Sequence, residues 1–391
     1  MDLAIFYVYI IRDIFWEDLM RFLHTADWHI GKTLNDFNLL DDQLATFKQI
    51  ETIAKDRQVD AIVIAGDLYD RSIPNEASVK LLNRMLQELN LADHFPLLAI
   101  SGNHDSATRL STGTDWFAYQ SFFLNTNISD AFTPVTIKDT QFFLLPFFGI
   151  QEVRNYFDDD KIKNVNDAMA RITTEMAKHF APDKKHVLVA HFFAAGSKRT
   201  ADSETLLEVG GLSAVTTDTL APFDYVALGH LHNRNALSDE KVKYSGSPMK
   251  FSVSEANQEK GVWIVDTTPF KVEWVPLAPV HDIHLLKGSF AKLATKPEEA
   301  LRNDFYDIEL TDHERIPDVL NKLREYYPKI VSLHRTHQAK QVQLNLSKKR
   351  AQESPLELLD EFYSQTMGNK LTDQQKKWAE KALAQIMKGE E

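Results

Sequence analysis

Seven side chains that could ligate a metal stand directly after apolar runs: Asp27, His29, Asp67, Asn103, His191, His230 and His232. Arg21-Phe22-Leu23-His24-Thr25-Ala26 leads to Asp27-Trp28-His29, and Val59-Asp60-Ala61-Ile62-Val63-Ile64-Ala65-Gly66 leads to Asp67. Pro96-Leu97-Leu98-Ala99-Ile100-Ser101 leads to Gly102-Asn103-His104-Asp105. His186-Val187-Leu188-Val189-Ala190 leads to His191, and Asp224-Tyr225-Val226-Ala227-Leu228 leads to Gly229-His230-Leu231-His232. Two divalent cations held close together need a bridging carboxylate, with imidazole, carboxamide and carboxylate caps on either side. The run ends supply such a set. Neutral imidazoles and hard oxygens suit Mn²⁺, Fe²⁺ or Zn²⁺ rather than Ca²⁺.

Each piece alone is weak. A D-x-H triplet arises often by chance, a lone histidine at a strand end is more often a structural hydrogen-bonder, and G-D-x-x-D-R could cap a helix. The recurrence carries the argument. Runs of this composition are expected of strands buried on both faces of a parallel sheet, and ligands of open α/β sheets gather at the strands' carboxyl ends.

The elements around these runs alternate. A helix is expected over roughly residues 39–57, with Leu40, Leu44, Phe47, Ile50 and Ile53 at helical spacing, and another through Val79, Leu81, Leu82, Met85 and Leu86. Strand–helix alternation implies βαβ units and a largely parallel sheet. Residues 142–184 insert a strand and a polar helix. After His232, Tyr244-Ser245-Gly246-Ser247-Pro248, Gly261-Val262-Trp263-Ile264-Val265 and Val272-Glu273-Trp274-Val275 suggest an antiparallel closing meander. The expected divisions are an extension over 1–19, a main domain over 20–278, a small α+β unit over 279–346 and a polar helical region over 347–391. In the small unit, strand-like segments at 282–286 and 306–310 precede a helix over 317–327 and a strand at 330–333.

At 391 residues with 43% hydrophobic and 26% charged content, the chain reads as a soluble globular protein of more than one domain. It has no cysteine, which excludes disulfides and thiolate metal sites and fits a cytoplasmic location. A net charge of −12 argues against a freestanding non-specific nucleic-acid binder, but not against a locally basic groove or affinity borrowed from a partner. The apolar stretch Leu3-Ala4-Ile5-Phe6-Tyr7-Val8-Tyr9-Ile10-Ile11 is too short for a bilayer, which needs about 20 apolar residues, so no membrane is expected. Met20, just before the first core strand, makes a natural start. Ile30-Gly31-Lys32-Thr33 resembles the tail of a phosphate-binding loop, but Ala26 occupies the first glycine's place, so no ATP hydrolysis is expected from this chain. Asn127-Ile128-Ser129 fits a glycosylation acceptor, with nothing to suggest secretion.

The ordered set D-x-H, G-D-x-x-D-R, G-N-H-D, an isolated histidine and G-H-x-H resembles the calcineurin-like metallophosphoesterase superfamily. Within it the chain is similar to the nuclease subunits that pair with SbcC-like coiled-coil ATPases. The wording is close at residues 23–32, at Asp202-Ser203-Glu204 with Glu208-Val209-Gly210-Gly211, at 227–232 and at 244–248, and it covers residues 20–280 strongly. The first nineteen residues have no family counterpart. The resemblance implies an α/β fold: a metallophosphoesterase β-sandwich flanked by helices, then a small α+β capping domain and C-terminal helices. It implies two divalent cations, Mn²⁺ foremost, about 3.5–4 Å apart and sharing a water-derived nucleophile. One would be held by Asp27, His29, Asp67 and His232, the other by Asp67, Asn103, His191 and His230, with Asp67 bridging. His104 would face the scissile phosphate as charge stabiliser and proton donor, and Asp70 would orient His104 by a hydrogen bond.

The leading functional expectation is a Mn²⁺-dependent DNA nuclease of repair and recombination. It would act on double-strand ends and hairpins with an SbcC-like ATPase; the resemblance alone implies a homodimer within a heterotetramer, through helices flanking Asn103. The alternative is a phosphodiesterase or phosphatase on a small nucleotide or phosphoprotein; a ligand-poor interaction scaffold is a third class, disfavoured because every expected ligand is present. The end of the chain carries two capping boxes, Ser354-Pro355-Leu356-Glu357 and Thr372-Asp373-Gln374-Gln375. Stripes Leu358, Leu359, Phe362, Tyr363 and Trp378, Ala379, Ala382, Leu383, Ile386, Met387 follow, with Gly368 as a stop between them. Either both stripes pack on their own domain or, the sharper expectation, at least one is a docking surface; the resemblance implies the ATPase as its partner, so truncation after Arg350 should release it.

Overall fold

In the computed structural model each apolar run is a short strand, and both of its faces find an apolar partner. The structure describes residues 19–198, 200, 214–295, 297–298, 301–312, 314–336, 354–367 and 370–386. Expectations for residues 1–18, the phrase at 202–211, Arg350, Gly368, Met387 and the side chains of Phe362 and Ile386 lie outside the described residues.

Strand β1 (Arg21–Thr25) is followed by the small antiparallel ribbon β2 (Thr33–Leu34) and β3 (Phe37–Asn38), and then by helix Leu40–Asp56. Next come β4 (Ala61–Ile64), helix Glu76–Gln87, β5 (Leu97–Ile100) and β6 (Phe122–Asn125). Asn75 caps the second helix, its side chain accepting from the Ser78 amide at 2.9 Å. Further on lie β7 (Val135–Ile137), β8 (Thr140–Leu144), helices Ile150–Phe157 and Val165–Ala177, β9 (Lys185–His191), β10 (Tyr225–Gly229) and β11 (Val242–Tyr244). β12 (Lys260–Thr267) and β13 (Phe270–Leu277) follow.

The strands form two sheets, the sandwich that the family resemblance implied, where strand–helix alternation alone had pointed to one largely parallel sheet. The first has the order β13-β12-β1-β4-β5-β6, the second β11-β10-β9-β8-β7. β1, β4, β5 and β6 run parallel, as do β8, β9, β10 and β11. The antiparallel meander is β12–β13, against β1. The Tyr244 segment is not part of it: β11 extends the second sheet in parallel beside β10.

Side chains alternate across each strand. Phe22, Ala61, Val63, Leu98 and Ile100 meet Phe142, Leu144, Val187, Val189, Tyr225 and Ala227 between the sheets. Their sequence neighbours Leu23, Ile62, Ile64, Leu97 and Ala99 pack instead against Phe47, Ile50, Leu82 and Met85 of the helices outside the first sheet. On the far side Phe143, Leu188, Ala190, Val226 and Leu228 pack against Val153, Met169, Ile172 and Met176. Four layers therefore account for strands that are apolar throughout: a β-sandwich flanked by helices.

The chain divides into two compact units, the first ending at His284 and the second beginning at Leu285. The second unit is built on the sheet β14 (Ile283–Gly288), β15 (Phe305–Leu310) and β16 (Lys329–Arg335), with β15 and β16 parallel. The helix expected over 317–327 spans Val319–Arg324; Asp318, left-handed at φ 54°, sets its late start. Both capping boxes form. Glu357 accepts from the Ser354 amide at 2.8 Å and Gln375 from the Thr372 amide at 2.9 Å, opening helices Pro355–Met367 and Asp373–Ile386. Gln375 donates to the Tyr363 hydroxyl at 3.1 Å, tying the two helices together. Among the described residues no helix is long and apolar enough to cross a membrane.

Candidate metal centre

The carboxyl ends of β1, β4 and β5 in one sheet and of β9 and β10 in the other deliver the candidate ligands. Several sit on strained backbone: Asp27 (φ 53°), His29 (φ 43°), Asp67 (φ 51°) and His230 (φ 92°) are all left-handed. Non-glycine residues rarely adopt this region, Asp and His more readily than most, and such strain clusters at functional sites. Backbone bonds beyond the strands hold it in place. The amides of Asp27, His29 and Ile30 donate to the carbonyls of Gly66, Asp67 and Leu68 at 3.0, 3.0 and 2.9 Å. The sheets approach closely because position 229 is glycine; a Cβ there would collide with the Ala65 carbonyl.

All seven candidates converge. His29 Nε2 lies 3.1 Å from His232 Nε2, the spacing of two ligands on one ion with metal–nitrogen bonds of about 2.1 Å. Asp27 completes that group. In the second group, His191 Nε2 lies 3.2 Å from Asp67 Oδ2 and 2.9 Å from Asn103 Oδ1, and His230 Nδ1 lies 3.0 Å from the same Asn103 oxygen. Asp67 Oδ2 is also 3.5 Å from His29 Nε2, so one carboxylate oxygen borders both groups. The Nδ1 atoms of His191 and His232 face the Ala65 carbonyl at 2.9 Å and Glu255 Oε1 at 3.3 Å, which leaves Nε2 for a cation. Imidazole, carboxylate and carboxamide donors at these spacings fit a pair of borderline divalent cations.

A calcineurin-like phosphoesterase family profile matches residues 20–234. The SbcD subunit of the SbcCD nuclease of Staphylococcus epidermidis is 35% identical over 80% of this chain and 85% of its own length. Its counterpart in Staphylococcus saprophyticus is 32% identical over 94% and 99%. The chain belongs to the SbcD family. Residues 279–367 also match a profile described as type 5 capsule protein repressor C-terminal domain. A Thermus thermophilus crystal structure aligns with 66% of this chain and all of its own, with a TM-score of 0.39 and 13% identity.

Within this SbcD family member, charge and burial set the ligands' protonation. Burial pushes Asp27 up to about 6, against the pull of His191 and His232. Burial also raises Asp67, but His191, His29 and His104 outweigh it and hold that carboxyl well below the usual range. His29 is driven well below its ordinary value by burial, so its ring is neutral and ligand-competent. Burial lowers His191 too, yet the charge and bond of Asp67 lift it to about 9. A cation entering there displaces a proton.

His104 is half-buried beside the cluster, its ring centre 4.7 Å from that of His29. Its amide donates to Asp67 Oδ1 at 2.9 Å. The expected bond from Asp70 is present in another form. His104 Nδ1 meets the Asp70 backbone carbonyl at 2.8 Å, while the Asp70 carboxylate pairs with Lys32 at 2.7 Å and lies 3.8 Å from His29 Nδ1. The Asp70 bond to His104 thus runs through its backbone carbonyl.

Three supporting residues escaped the sequence reading. Asp105 accepts from the amides of Leu68, Tyr69 and Gly102 at 3.0, 2.9 and 2.9 Å, clasping the two loops that carry Asp67 and Asn103. Glu255 receives His232 and the buried Lys260, whose ammonium also donates to the His232 carbonyl at 2.9 Å. Asp105 closes the G-N-H-D motif and could have been suspected. Glu255 and Lys260 sit in no motif.

Proposed function

We propose that this chain is a two-metal DNA nuclease that hydrolyses phosphodiester bonds in repair and recombination. Its proposed modes are exonuclease on double-strand ends and endonuclease on hairpins, with Mn²⁺ as the working cation. The observation carrying this reading is the convergence of Asp27, His29, Asp67, Asn103, His191, His230 and His232 from two sheets, in a chain whose relatives are named nucleases. Bound cations would supply Lewis-acid charge at the scissile phosphate and a water ionised near neutral pH. Asp27, His29, Asp67 and His232 would hold one, and Asp67, Asn103, His191 and His230 the other. His104, anchored through Nδ1, would present Nε2 to the phosphate, stabilise its developing charge and give a proton to the leaving oxygen.

The proposed partner is an SbcC-like coiled-coil ATPase, gripped by the C-terminal helices, with the chain a homodimer within a heterotetramer. Trp378 is 63% exposed and Leu358 and Leu359 more than a third exposed, so these helices keep apolar anchors uncovered in their own unit. The test is cleavage of hairpin and end-blocked DNA with Mn²⁺, with and without the ATPase, beside a small nucleotide diester. Cleavage of the small diester alone, at a rate DNA cannot match, would move the assignment to a nucleotide phosphodiesterase.

A further inference from the structure

Gln43 lies in the first turn of helix Leu40–Asp56, is 3% exposed, and commits its whole carboxamide to one turn of backbone. Its Oε1 accepts from the Gly31 amide at 3.0 Å, while Nε2 donates to the carbonyls of His29 at 2.8 Å and Trp28 at 3.3 Å. The partners dictate this orientation, because a flipped amide would set its oxygen against two carbonyls. The three peptides bracket His29, which is held at φ 43°. The turn has one bond of its own, from the Lys32 amide to the His29 carbonyl at 2.9 Å, and Gly31, at φ 95°, has no side chain to add; a Cβ there would collide with Ser78 Oγ. The side-chain brace comes from the helix.

The other ligands are held differently. His191 ends a regular strand with Nδ1 on the Ala65 carbonyl, and the loops of Asp67 and Asn103 are clasped by Asp105. The two halves share backbone bonds, the His29 amide to the Asp67 carbonyl among them, but the Gln43 carboxamide reaches only the His29 side. We propose that Gln43 is a positioning residue that fixes His29, and so sets the affinity of the cation position formed by Asp27, His29 and His232 separately from that of Asp67, Asn103, His191 and His230. This rests on the metal reading above. Without the brace the strained turn relaxes, and the imidazole leaves the position opposite His232 Nε2.

The test is a Mn²⁺ titration of the full chain, stripped of metal, by calorimetry and electron paramagnetic resonance. Gln43→Met keeps the volume and removes all three bonds; Gln43→Glu keeps the acceptor for Gly31 and loses both donors. Both should weaken one of two binding steps about 10–100-fold and leave the other within about threefold. If the Met variant does not fold, the Glu variant decides. In a His29→Gln background, Gln43→Met should cause no further loss, which a general structural role would not predict. Two steps falling together, neither moving, or an undiminished effect without His29 overturns the proposal. A wild type lacking two steps overturns the metal reading itself, before any variant is compared.

Discussion

His24 and His29 lie five positions apart, both almost fully buried and both driven neutral by burial, yet only one belongs to a site. His24 is inside strand β1. Its Nδ1 meets the Tyr225 hydroxyl at 2.9 Å, and the Tyr225 ring lies against Phe22, which in turn meets Phe142 between the sheets. His29 is beyond the strand's end, on left-handed backbone, among Asp67, His104 and His232. Burial of a histidine does not by itself mark a candidate metal ligand; converging carboxylates and strained backbone at a strand end do. The second unit reinforces this. β15 and β16 are parallel with a helix between them, but they end in Leu310-Thr311 and Arg335-Thr336, and among the described residues they gather no such cluster.

The contrast can be broken by experiment. Asp67→Asn should have the largest effect, abolishing metal binding and cleavage together, because its carboxylate borders both groups. Two ions retained at wild-type affinity by elemental analysis would remove Asp67 from the bridge. His104→Gln should keep both ions and lower turnover by roughly 10²–10⁴. Near-normal cleavage by the metal-loaded variant would assign proton transfer elsewhere.

His24 predicts a pH effect on stability and none on catalysis. Burial lowers its pKa from 6.5 to about 3, so protonation favours the unfolded chain. The stability it contributes is present above pH 6.5 and is lost as pH falls from there toward 3. Between pH 6.5 and 4 the wild type should lose on the order of 3 kcal/mol more than His24→Gln in urea unfolding. Parallel acid limbs for the two proteins would contradict the burial argument.

Glu255→Gln should weaken Mn²⁺ binding about 10–100-fold, since the partner that orients His232 loses its charge. It should also lower the thermal midpoint, because Lys260 is left as a buried cation without its anion. An unchanged binding isotherm would show that the Lys260 network is purely structural. The smallest effect is expected of Asp70→Ala. The His104 bond runs to the Asp70 carbonyl, which the substitution keeps, so turnover should change by less than about tenfold. A loss equal to that of His104→Gln would return the orienting role to the carboxylate.

Features legible along the chain are local ones. Each ligand follows an apolar run, so the strand ends, the donor types and the family could be read from adjacent residues. The capping boxes of the last two helices are equally local, spanning four residues each, and both formed as written. Features that depend on distant partners emerged only in the folded arrangement. Packing split the strands into two sheets, put the Tyr244 segment into the second, and chose the Asp70 carbonyl over its carboxylate. It also recruited Gln43 and Glu255, whose own neighbours along the chain do not announce those roles, and gave Asp105, at the end of a legible motif, its clasp on a distant loop. Hydrogen bonds such as His191 to the Ala65 carbonyl or the His230 amide to Asp27 join residues more than 100 positions apart. No local periodicity encodes which atoms of such residues meet; that follows only when the packing of the two sheets fixes their strand ends in space.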